Sequence, residues 1–534
     1  MTQPHVFVAM ADILNLRCDA WLLPTDSSVR IEQHWLQAHP ELRMLAEASA
    51  SAEFRDGDAL AEPVRPWDPS CPLPIMTAVP EDGGWGSTVV AERIEAFVSS
   101  AVMAIRTPPD HRPYRLLALP FFGTAGGGAG NHLGAALRAI LGATADLAAR
   151  YDVDIVLVLR DRAAFSLAQK LRREAADDDS SWPSLGCHLH DKAKSLGQIA
   201  GAGHLVPFLG AGVSVSAGAP SWGRLLDTLR TGIQLKHAEA EAFHGLSPLD
   251  QAGVLEQLYA DQHGSRDAFG QAVADAVDLP RYGLAPALLA TLPSAGAITL
   301  NYDRLFESAC RDAQRPRTVM PENVPAVGND WLLKLHGSVS QPDSIVLTRD
   351  DYLGYNSNRD ALSALVKAHL LTHHLLFVGF GLADDHFHEI VHDVRRALPN
   401  DVKNHQMGTV LSLFHEPLQK LVWKGKLDIL PMSCDPARDS GPADLHTAIA
   451  AAGRELEIFL DMMAAYATDN HSYLLAPAYN RGLSQGEQHL RQQLLALAEQ
   501  PRSEATAEAW GVLDRALADL GYSPNTEYKL KELS

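Results

Sequence analysis

The chain is poor in cysteine, and its few cysteines stand far apart. Among 534 residues there are five cysteines, and no two of them form a Cys-x-x-Cys pair. This spacing excludes a zinc site built on paired cysteines and argues against a disulfide framework. Long apolar runs are lacking as well, because the nearest approach to one, at 370–382, is interrupted by His373 and His374. The sequence therefore predicts no membrane-spanning helix.

Positive charge is the third deficit. Lys and Arg number 45 against 65 Asp and Glu, so the formal net charge is −20. A surface of that sign repels a phosphate backbone, and direct nucleic-acid binding is not expected. Residues 1–14 include Asp12 and lack a basic segment followed by an apolar core. That is not the pattern of a signal peptide, and we expect a cytoplasmic protein.

What remains is the composition of a multi-domain globular protein. Hydrophobic residues make up 46% of the chain and charged residues 21%. The length fits three or four domains of about 150 residues. Polar and glycine-rich stretches predict a first domain at 1–173, a linker at 174–194, a second domain at 195–440, and a helical accessory or oligomerisation region at 441–534.

The two larger domains are both predicted to be α/β. In the first, expected strands at 114–120 and 154–159 flank a stretch at 131–150 whose apolar residues recur at helical spacing. A strand, a helix and a strand in that order imply a parallel sheet. In the second, strands are expected at 204–209, 297–300, 332–335, 375–378 and 409–413. The last region should form helices at 445–463 and 484–498.

The strongest local signal in the second domain is a glycine turn after a buried strand. Residues 204–209 run into Gly210–Ser214, and Gly218–Trp222 follows closely. The backbone N–H groups of such a turn can approach a pyrophosphate with no Cβ in the way. Val215 stands where the third glycine of the dinucleotide fingerprint would fall. A plain junction between strand and helix therefore stays open as the alternative.

Three other predicted strands end in residues suited to a ligand. These ends are Thr299–Asp303, Lys334–Ser338 and Val378–Gly381. Ligands of open parallel sheets bind outside the carboxyl ends of the strands. The sequence therefore predicts that all four segments converge on one crevice.

The ordered set of motifs resembles the sirtuin fold. Gly-Ala-Gly-x-Ser, Gly-x-Pro-x-Trp, Thr-x-Asn-x-Asp, His-Gly and Gly-Phe-Gly occur in that order over about 195–434. The set is most similar to the bacterial defence-associated sirtuin-like branch, which includes the Thoeris-type NADases. The resemblance implies a Rossmann-like domain that takes NAD as its substrate, with Asn301 and His336 as the catalytic pair. It also implies NAD-binding roles for Gly210, Ala211, Gly212, Ser214, Pro220, Trp222, Thr299, Asp303, Gly379 and Gly381.

Two departures from the sirtuin deacylases bear on the reaction. Those enzymes carry a four-cysteine zinc module after the His-Gly pair, whereas Cys434 alone follows His336 here. They usually have Gln before the catalytic Asn, and Leu300 occupies that position. Both departures favour hydrolysis of NAD over deacylation, and no metal is expected. An amide can orient the attacking water, and a histidine can accept its proton.

A rival motif lies at His388–His392, which reads His-Glu-x-x-His. On a helix, this spacing puts two zinc-binding histidines on one face with a glutamate base. The apolar residues around it predict a different inward stripe, however, and no third ligand is evident downstream. We therefore favour a chance match. The stripe consists of Phe387, Ile390, Val391 and Val394.

The first domain resembles a degenerate macro domain, a fold that binds ADP-ribose. The resemblance rests on Ala11–Ile13, Asp19–Asp26 and Phe122–Gly128, with Leu23 and Asp26 where that family often has Asn. Those replacements argue against hydrolysis of ADP-ribose derivatives. The glycine-rich stretch follows a strand and precedes a helix, so it can cradle a phosphate, or it can be a surface loop. The candidate ligand residues are Asp12, Gly123, Thr124, Gly126, Gly127 and Gly128.

Together these features predict an NAD+ hydrolase that releases nicotinamide and ADP-ribose, with a cyclised product left open as an alternative to ADP-ribose. We expect an antiphage effector and a homo-oligomer, activated by an ADP-ribose-type nucleotide signal or by a phage or defence-system protein. Two alternatives stay open at this point. One is a module that senses NAD or ADP-ribose without turnover, and the other, which ranks lower, is an NAD-dependent protein deacylase.

Overall fold

The computed structural model describes most of the chain as two compact units. Unit 1 consists of Met1–Leu14, Cys18–His190 and Thr468–Ser534, and unit 2 of Asn15–Arg17 and Asp191–Ala467. The described residues are 3–79, 87–106, 112–122, 132–176, 182–183, 185–233, 235, 237–265, 267–399, 406–433, 442–468, 470–500 and 507–523.

Unit 1 is built on a six-stranded sheet in the order β1-β6-β5-β2-β4-β3. All neighbouring pairs are parallel except β3 with β4. The strands are β1 (Val6–Met10), β2 (Ala20–Thr25), β3 (Ala61–Pro63), β4 (Leu73–Ala78), β5 (Leu116–Pro120) and β6 (Asp154–Leu159). The helices are α1 (Leu42–Ser49), α2 (Ala52–Asp56), α3 (Ser87–Ala104), α4 (Leu133–Tyr151), α5 (Arg162–Ala176), α17 (Gln485–Ala498) and α18 (Ala507–Asp519).

The predicted strand–helix–strand unit of the first domain is confirmed. Strands β5 and β6 pair in parallel, and α4 connects them. The buried face of α4 includes Leu137, Ile140 and Leu147, and Thr144 lies on the same face. The Thr144 hydroxyl donates to the Ile140 carbonyl at 2.9 Å, which is how a buried helix accommodates this polar side chain.

Unit 2 holds a seven-stranded sheet in the order β13-β12-β11-β7-β8-β10-β9, with every neighbouring pair parallel. Its strands are β7 (Leu205–Leu209), β8 (Gly296–Thr299), β9 (Thr318–Met320), β10 (Trp331–Lys334), β11 (His374–Val378), β12 (Gly408–Phe414) and β13 (Asp428–Ser433). The predicted α/β class with a parallel, Rossmann-like sheet is confirmed. The central strands are almost entirely apolar and buried, as expected of a sheet covered on both faces.

In the described part of the chain, eleven helices accompany this sheet, of which α6 begins in unit 1. They are α6 (Cys187–Gly201), α7 (Trp222–Thr231), α8 (His237–His244), α9 (Pro248–His263), α10 (Asp267–Val277), α11 (Leu284–Ala290), α12 (Leu305–Asp312), α13 (Arg349–Thr372), α14 (Asp385–Ala397), α15 (Pro417–Val422) and α16 (Pro442–Ala467). None of the described helices is both long and apolar enough to cross a membrane.

Two segments differ from the predicted organisation. Helix α6 occupies part of the stretch predicted as a linker, because its apolar side chains Leu189, Ala193 and Leu196 recur at helical spacing and are buried. The region after 441 is divided between the units. Helix α16 belongs to unit 2 and buries its apolar face, whereas α17 and α18 belong to unit 1. Helix α17 begins at a capping box formed by Ser484 and Glu487.

Candidate active site

Four neighbouring strands of unit 2 end on one row of the sheet. Val378 of β11 lies opposite Leu209 of β7, and Leu209 lies opposite Thr299 of β8. Thr299 in turn lies opposite Lys334 of β10. Each of these residues is the last of its strand. The segments that follow therefore start from the same edge of the sheet, as the order of the motifs predicts.

Backbone contacts join the loop after β7 to the loop after β11. The Gly210 N–H donates to the Val378 carbonyl, and the Gly212 N–H donates to the Gly379 carbonyl, both at 2.9 Å. A Cβ on Gly212 would lie 2.7 Å from the Gly379 Cα. A Cβ on Gly379, whose φ is +65°, would overlap the backbone nitrogen of Val213. The packing of the two loops alone therefore requires glycine at 212 and 379.

The side-chain amide of Asn301 is held in one orientation. Its Nδ2 donates to the Gly210 carbonyl at 3.2 Å and to the Ser214 hydroxyl at 3.1 Å. Its backbone N–H donates to the Thr299 hydroxyl at 3.0 Å. Both amide hydrogens are thus used. The Oδ1 atom is buried and has no hydrogen-bond partner among the described residues. Asn301 therefore presents a fixed acceptor next to the row of strand ends.

Ser214 and Asp303 continue this network into the protein. The Ser214 hydroxyl donates to Oδ2 of Asp303 at 2.8 Å, and Oδ1 of Asp303 accepts from the Leu305 N–H at 3.0 Å. Burial raises the pKa of Asp303, against the opposing influence of Lys334 and of these hydrogen bonds. Both side chains are buried. The hydrogen bonds of Ser214 and Asp303 hold Asn301 in place. Direct contact of Ser214 or Asp303 with NAD stays a prediction.

A buried ion pair that the sequence analysis did not single out supports the same segment. The Lys334 ammonium lies 2.5 Å from a Glu307 carboxylate oxygen. It also donates to the carbonyls of Tyr302 and Asp303, at 3.1 and 2.6 Å. Burial raises the pKa of Glu307, and Lys334 opposes that effect. The sequence did contain a signal for this ion pair, because Lys334 ends an otherwise apolar strand. A buried ammonium needs a carboxylate or carbonyl oxygens as partners.

His336 follows β10 and is 3% exposed. Burial lowers its pKa to about 4, and the nearby Asp384 carboxylate only partly opposes this. The imidazole is therefore neutral at pH 7, with one ring nitrogen able to accept a proton. Its Nε2 lies 3.7 Å from Oδ2 of Asp384. Gly337, with φ of +93°, makes the turn that follows, where a Cβ would overlap the Ser344 carbonyl.

Aromatic and polar side chains from α13 and α14 surround His336. The Tyr352 hydroxyl donates to Oδ2 of Asp384 at 3.0 Å. The rings of Tyr352, Tyr355 and His386 each meet the His336 ring edge-to-face, with centroids 5.4–5.9 Å apart. Asp384 also caps α14 by accepting the Phe387 N–H. The tyrosines and His386 could not be found from the sequence, because spacing along a helix does not indicate what its residues face.

The remaining predicted NAD-binding residues lie around the same loops. Ala211 is exposed at the start of the 3-10 helix Ala211–Ala217. Pro220 precedes Ser221, which caps α7, and the Trp222 Nε1 is buried without a hydrogen-bond partner among the described residues. Gly381 is exposed, and a Cβ there would have no described heavy atom within 4 Å. The assignment of all these residues to NAD stays a prediction.

The His-Glu-x-x-His stretch lies on α14 in the predicted orientation. His388 and His392 are exposed, whereas the apolar stripe named above is buried. His388 Nε2 bonds to the Leu382 carbonyl at 2.9 Å. In the described part of the chain, neither histidine joins a group of three possible metal ligands.

The predicted ligand site of unit 1 is described only in part. Asp12 accepts the Leu14 N–H at 3.0 Å through Oδ1, and its Oδ2 lies 3.7 Å from an Arg160 guanidinium nitrogen. The other candidates lie outside the described residues. They are Gly123, Thr124, Gly126, Gly127 and Gly128.

Comparison with known proteins assigns this part of unit 2. Residues 295–427, which include Asn301, His336 and the strand ends from β8 to β11, match the family model described as SIR2-like domain. This part of unit 2 is similar to the SIR2-like domain family. The stated resemblance to defence-associated sirtuin-like proteins is confirmed for this region, and the likeness of unit 1 to a macro domain stays a prediction.

Several curated proteins share this similarity. The chain is 31% identical over 211 residues to "Defense-associated sirtuin 2" of Bacillus subtilis, which is 38% of this chain and 20% of that protein. It is 31% identical over 208 residues to "NAD(+) hydrolase ThsA" of Bacillus cereus (strain MSX-D12), which is 37% of this chain and 41% of the relative. A protein of the same name from Enterococcus faecium is 30% identical to the chain over 216 residues, which is 38% of this chain and 42% of the relative's length. The chain thus spans less than half of each relative.

Proposed function

We propose that the chain is an NAD+ hydrolase that cleaves the bond between nicotinamide and ribose. The products are nicotinamide, ADP-ribose and a proton, with one water consumed. The site of action that we propose is the cytoplasm, and the biological role is that of an antiphage effector. The names of the relatives, two of which are NAD(+) hydrolases, support this choice of reaction.

The observation that carries the proposal is the pairing of a fixed amide acceptor with a buried neutral imidazole at one sheet edge. Asn301 and His336 each lie two residues beyond Thr299 and Lys334, which face each other in register. Both hydrogens of the Asn301 amide nitrogen are already donated to protein acceptors, which fixes the position of its Oδ1. It is therefore suited to accept a hydrogen bond from a ribose hydroxyl or from the attacking water.

Bond cleavage leaves positive charge on the ribose while the electron pair of the C–N bond goes to the nicotinamide nitrogen. The water oxygen then bonds to the same ribose carbon. Its proton passes to the neutral imidazole of His336, where the nearby Asp384 carboxylate favours the protonated form against the effect of burial. Asp303 and Ser214 act as positioning residues because their hydrogen bonds fix Asn301. Nicotinamide is a good leaving group, so orientation and proton acceptance suffice.

The acidic chain must bind an anionic substrate through neutral or dipolar groups. The glycine loop after β7 exposes Ala211 and Gly212 at the beginning of a 3-10 helix. The Gly210 and Gly212 N–H groups already donate to the Val378 and Gly379 carbonyls, so the contribution that we propose for this loop is close approach of the pyrophosphate to backbone with little side chain in the way. Deacylation is the weaker proposal, because Cys434 is the one cysteine that follows His336 in the sequence.

The test measures nicotinamide release from NAD+ by the full-length chain, with and without added ADP-ribose. We expect that Asn301→Ala and His336→Ala each lower the rate about 100-fold or more, a typical contribution of a positioned acid–base group. His392→Ala is the matched control, since this histidine is exposed on α14, and it should keep the rate of the parent chain.

Two results would contradict the proposal. One is the absence of nicotinamide release under every condition, together with tight NAD+ binding, which would favour the sensing module. The other is equal turnover by the parent chain and both variants. Release of nicotinamide only when an acylated peptide is supplied would favour the deacylase.

We further propose that activity is controlled, because unrestrained hydrolysis would exhaust cellular NAD+. The controlling signal that we propose is an ADP-ribose-type nucleotide bound by unit 1, or a phage or defence-system protein. A homo-oligomer would couple the sites of several chains. Asp12, which neighbours Arg160 in unit 1, is the described residue on which the nucleotide proposal rests.

A further inference from the structure

Three side chains at the catalytic edge of unit 2 form a group with the chemistry of a metal site. His336, Asp384 and His386 each bring one ligand atom to within 4.8 Å of the other two. His336 follows β10, whereas Asp384 and His386 stand at the cap and in the first turn of α14. Two imidazoles and one carboxylate are a donor set that binds Zn2+ with a coordination position left open.

His386 is oriented as a metal-ligating histidine is. One ring nitrogen, Nε2, lies 3.1 Å from the Tyr352 carbonyl oxygen, so the ring N–H donates there. The other nitrogen, Nδ1, is then the acceptor. It is buried and has no hydrogen-bond partner in the described part of the chain. Histidines that bind metals typically donate their second ring N–H to a backbone carbonyl in this way.

Stacking restrains the His386 ring further. Its centroid lies 4.6 Å from that of Tyr352 and 4.0 Å from that of Tyr355, with the ring planes inclined by 12° and 27°. A ring packed in this manner cannot easily turn to find a partner for Nδ1. The buried lone pair is therefore an independent indication that this group receives a ligand.

The carboxylate of Asp384 is oriented as well. Its Oδ1 accepts the Phe387 N–H at 2.9 Å, and its Oδ2 accepts the Tyr352 hydroxyl at 3.0 Å. Oδ2 lies 3.7 Å from Nε2 of His336. Ligand atoms of a tetrahedral zinc ion lie roughly 3.3 Å apart, given metal–ligand bonds of about 2.0–2.1 Å. Binding of the ion would therefore draw these ligand atoms, which lie within 4.8 Å of one another, closer together.

We propose that His336, Asp384 and His386 bind Zn2+ and that the bound ion inhibits NAD+ turnover. Zinc takes the lone pair of His336 that would otherwise accept the proton of the attacking water. The ion is thus an inhibitor and not a cofactor. The inhibitory part of this inference rests on the proposed function, whereas the binding part does not.

The binding test uses the full-length chain, stripped of metal with a chelator and then titrated with Zn2+ by calorimetry and elemental analysis. We expect one tightly bound Zn2+ per chain, with at least tenfold weaker binding in His386→Ala and in Asp384→Asn. The second variant preserves side-chain volume, and circular dichroism checks that both fold. The control is the double variant His388→Ala/His392→Ala, which removes two exposed histidines of the same helix and should bind zinc as the parent does.

Undiminished zinc binding by both site variants would overturn the proposal, and so would loss of binding in the control alone. The inhibition test then compares nicotinamide release with and without Zn2+ for each variant separately. The parent and the control should be inhibited and should recover when a chelator is added, whereas His386→Ala should resist inhibition. Equal inhibition of all variants would overturn the regulatory role. Absence of NAD+ turnover would contradict the proposed function but leave the binding result decisive for the zinc site.

Discussion

At the scale of single residues, the position of one amide depends on a chain of hydrogen bonds. Asn301 donates to Ser214, and Ser214 donates to Asp303. Asp303 is in turn fixed by the Leu305 N–H. The Asn301 amide nitrogen can only donate, so the Ser214 hydroxyl accepts from it and donates its own hydrogen to Asp303. The direction of these hydrogen bonds is therefore determined. The free Oδ1 of Asn301 is therefore a consequence of residues that need not touch the substrate.

The first prediction concerns Ser214→Ala. The change leaves Oδ2 of Asp303 and one amide hydrogen of Asn301 without their partner, and the Asn301 side chain becomes free to turn. We expect kcat for NAD+ to fall about tenfold with a smaller change in KM, because orientation is lost more than binding. The free energy of unfolding should fall by about 1–3 kcal/mol, the usual cost of an unsatisfied buried group.

Ser216→Ala is the control for this variant. Ser216 lies on the same 3-10 helix, and its buried hydroxyl has no hydrogen-bond partner among the described residues. Its loss should change neither kcat nor denaturant midpoint appreciably. Steady-state kinetics and urea unfolding measure both quantities. Equal kcat values for the two serine variants would show that Ser214 does not position Asn301.

At the scale of secondary-structure elements, the sequence predicts the scaffold of the site well. Buried apolar runs mark β7, β8, β10 and β11, and the row on which they end follows from parallel pairing. The candidate pair Asn301 and His336 could therefore be placed at one edge from the sequence. The cluster around His336 could not, because the facing residues of α13 and α14 depend on how long helices pack, which local spacing does not encode.

The two loops that meet at Gly212 and Gly379 give the second prediction. Gly379→Ala forces a Cβ into the backbone of the neighbouring loop at a φ of +65°. We expect a loss of roughly 1–3 kcal/mol in the free energy of unfolding, from strain and displaced backbone. Gly381→Ala, two residues away, places its Cβ where no described heavy atom lies within 4 Å. It should unfold at nearly the same urea concentration as the parent chain, and a similar loss for both variants would contradict the packing argument.

At the scale of the whole molecule, the net charge of −20 constrains how the chain binds its proposed ligands. NAD and ADP-ribose are both anions, and an acidic surface raises the cost of bringing them close. Binding must then depend on local groups such as backbone N–H groups at glycine turns and a few placed side chains. Salt at about 0.15 M limits the repulsion to distances of about 8 Å. Ligand tests should therefore be made at that ionic strength.

The third prediction concerns the proposed nucleotide site of unit 1. Asp12 has one oxygen held by the Leu14 N–H, and its other oxygen faces Arg160. A carboxylate held in this way can accept a hydrogen bond from the amino group of an adenine. We expect full-length chain to bind ADP-ribose and Asp12→Ala to bind it at least tenfold more weakly, as measured by calorimetry. Asp146→Ala, which removes an exposed carboxylate from α4, should bind as the parent does. Absence of binding by the parent chain, or equal affinity of the two variants, would remove unit 1 as the receptor of the signal.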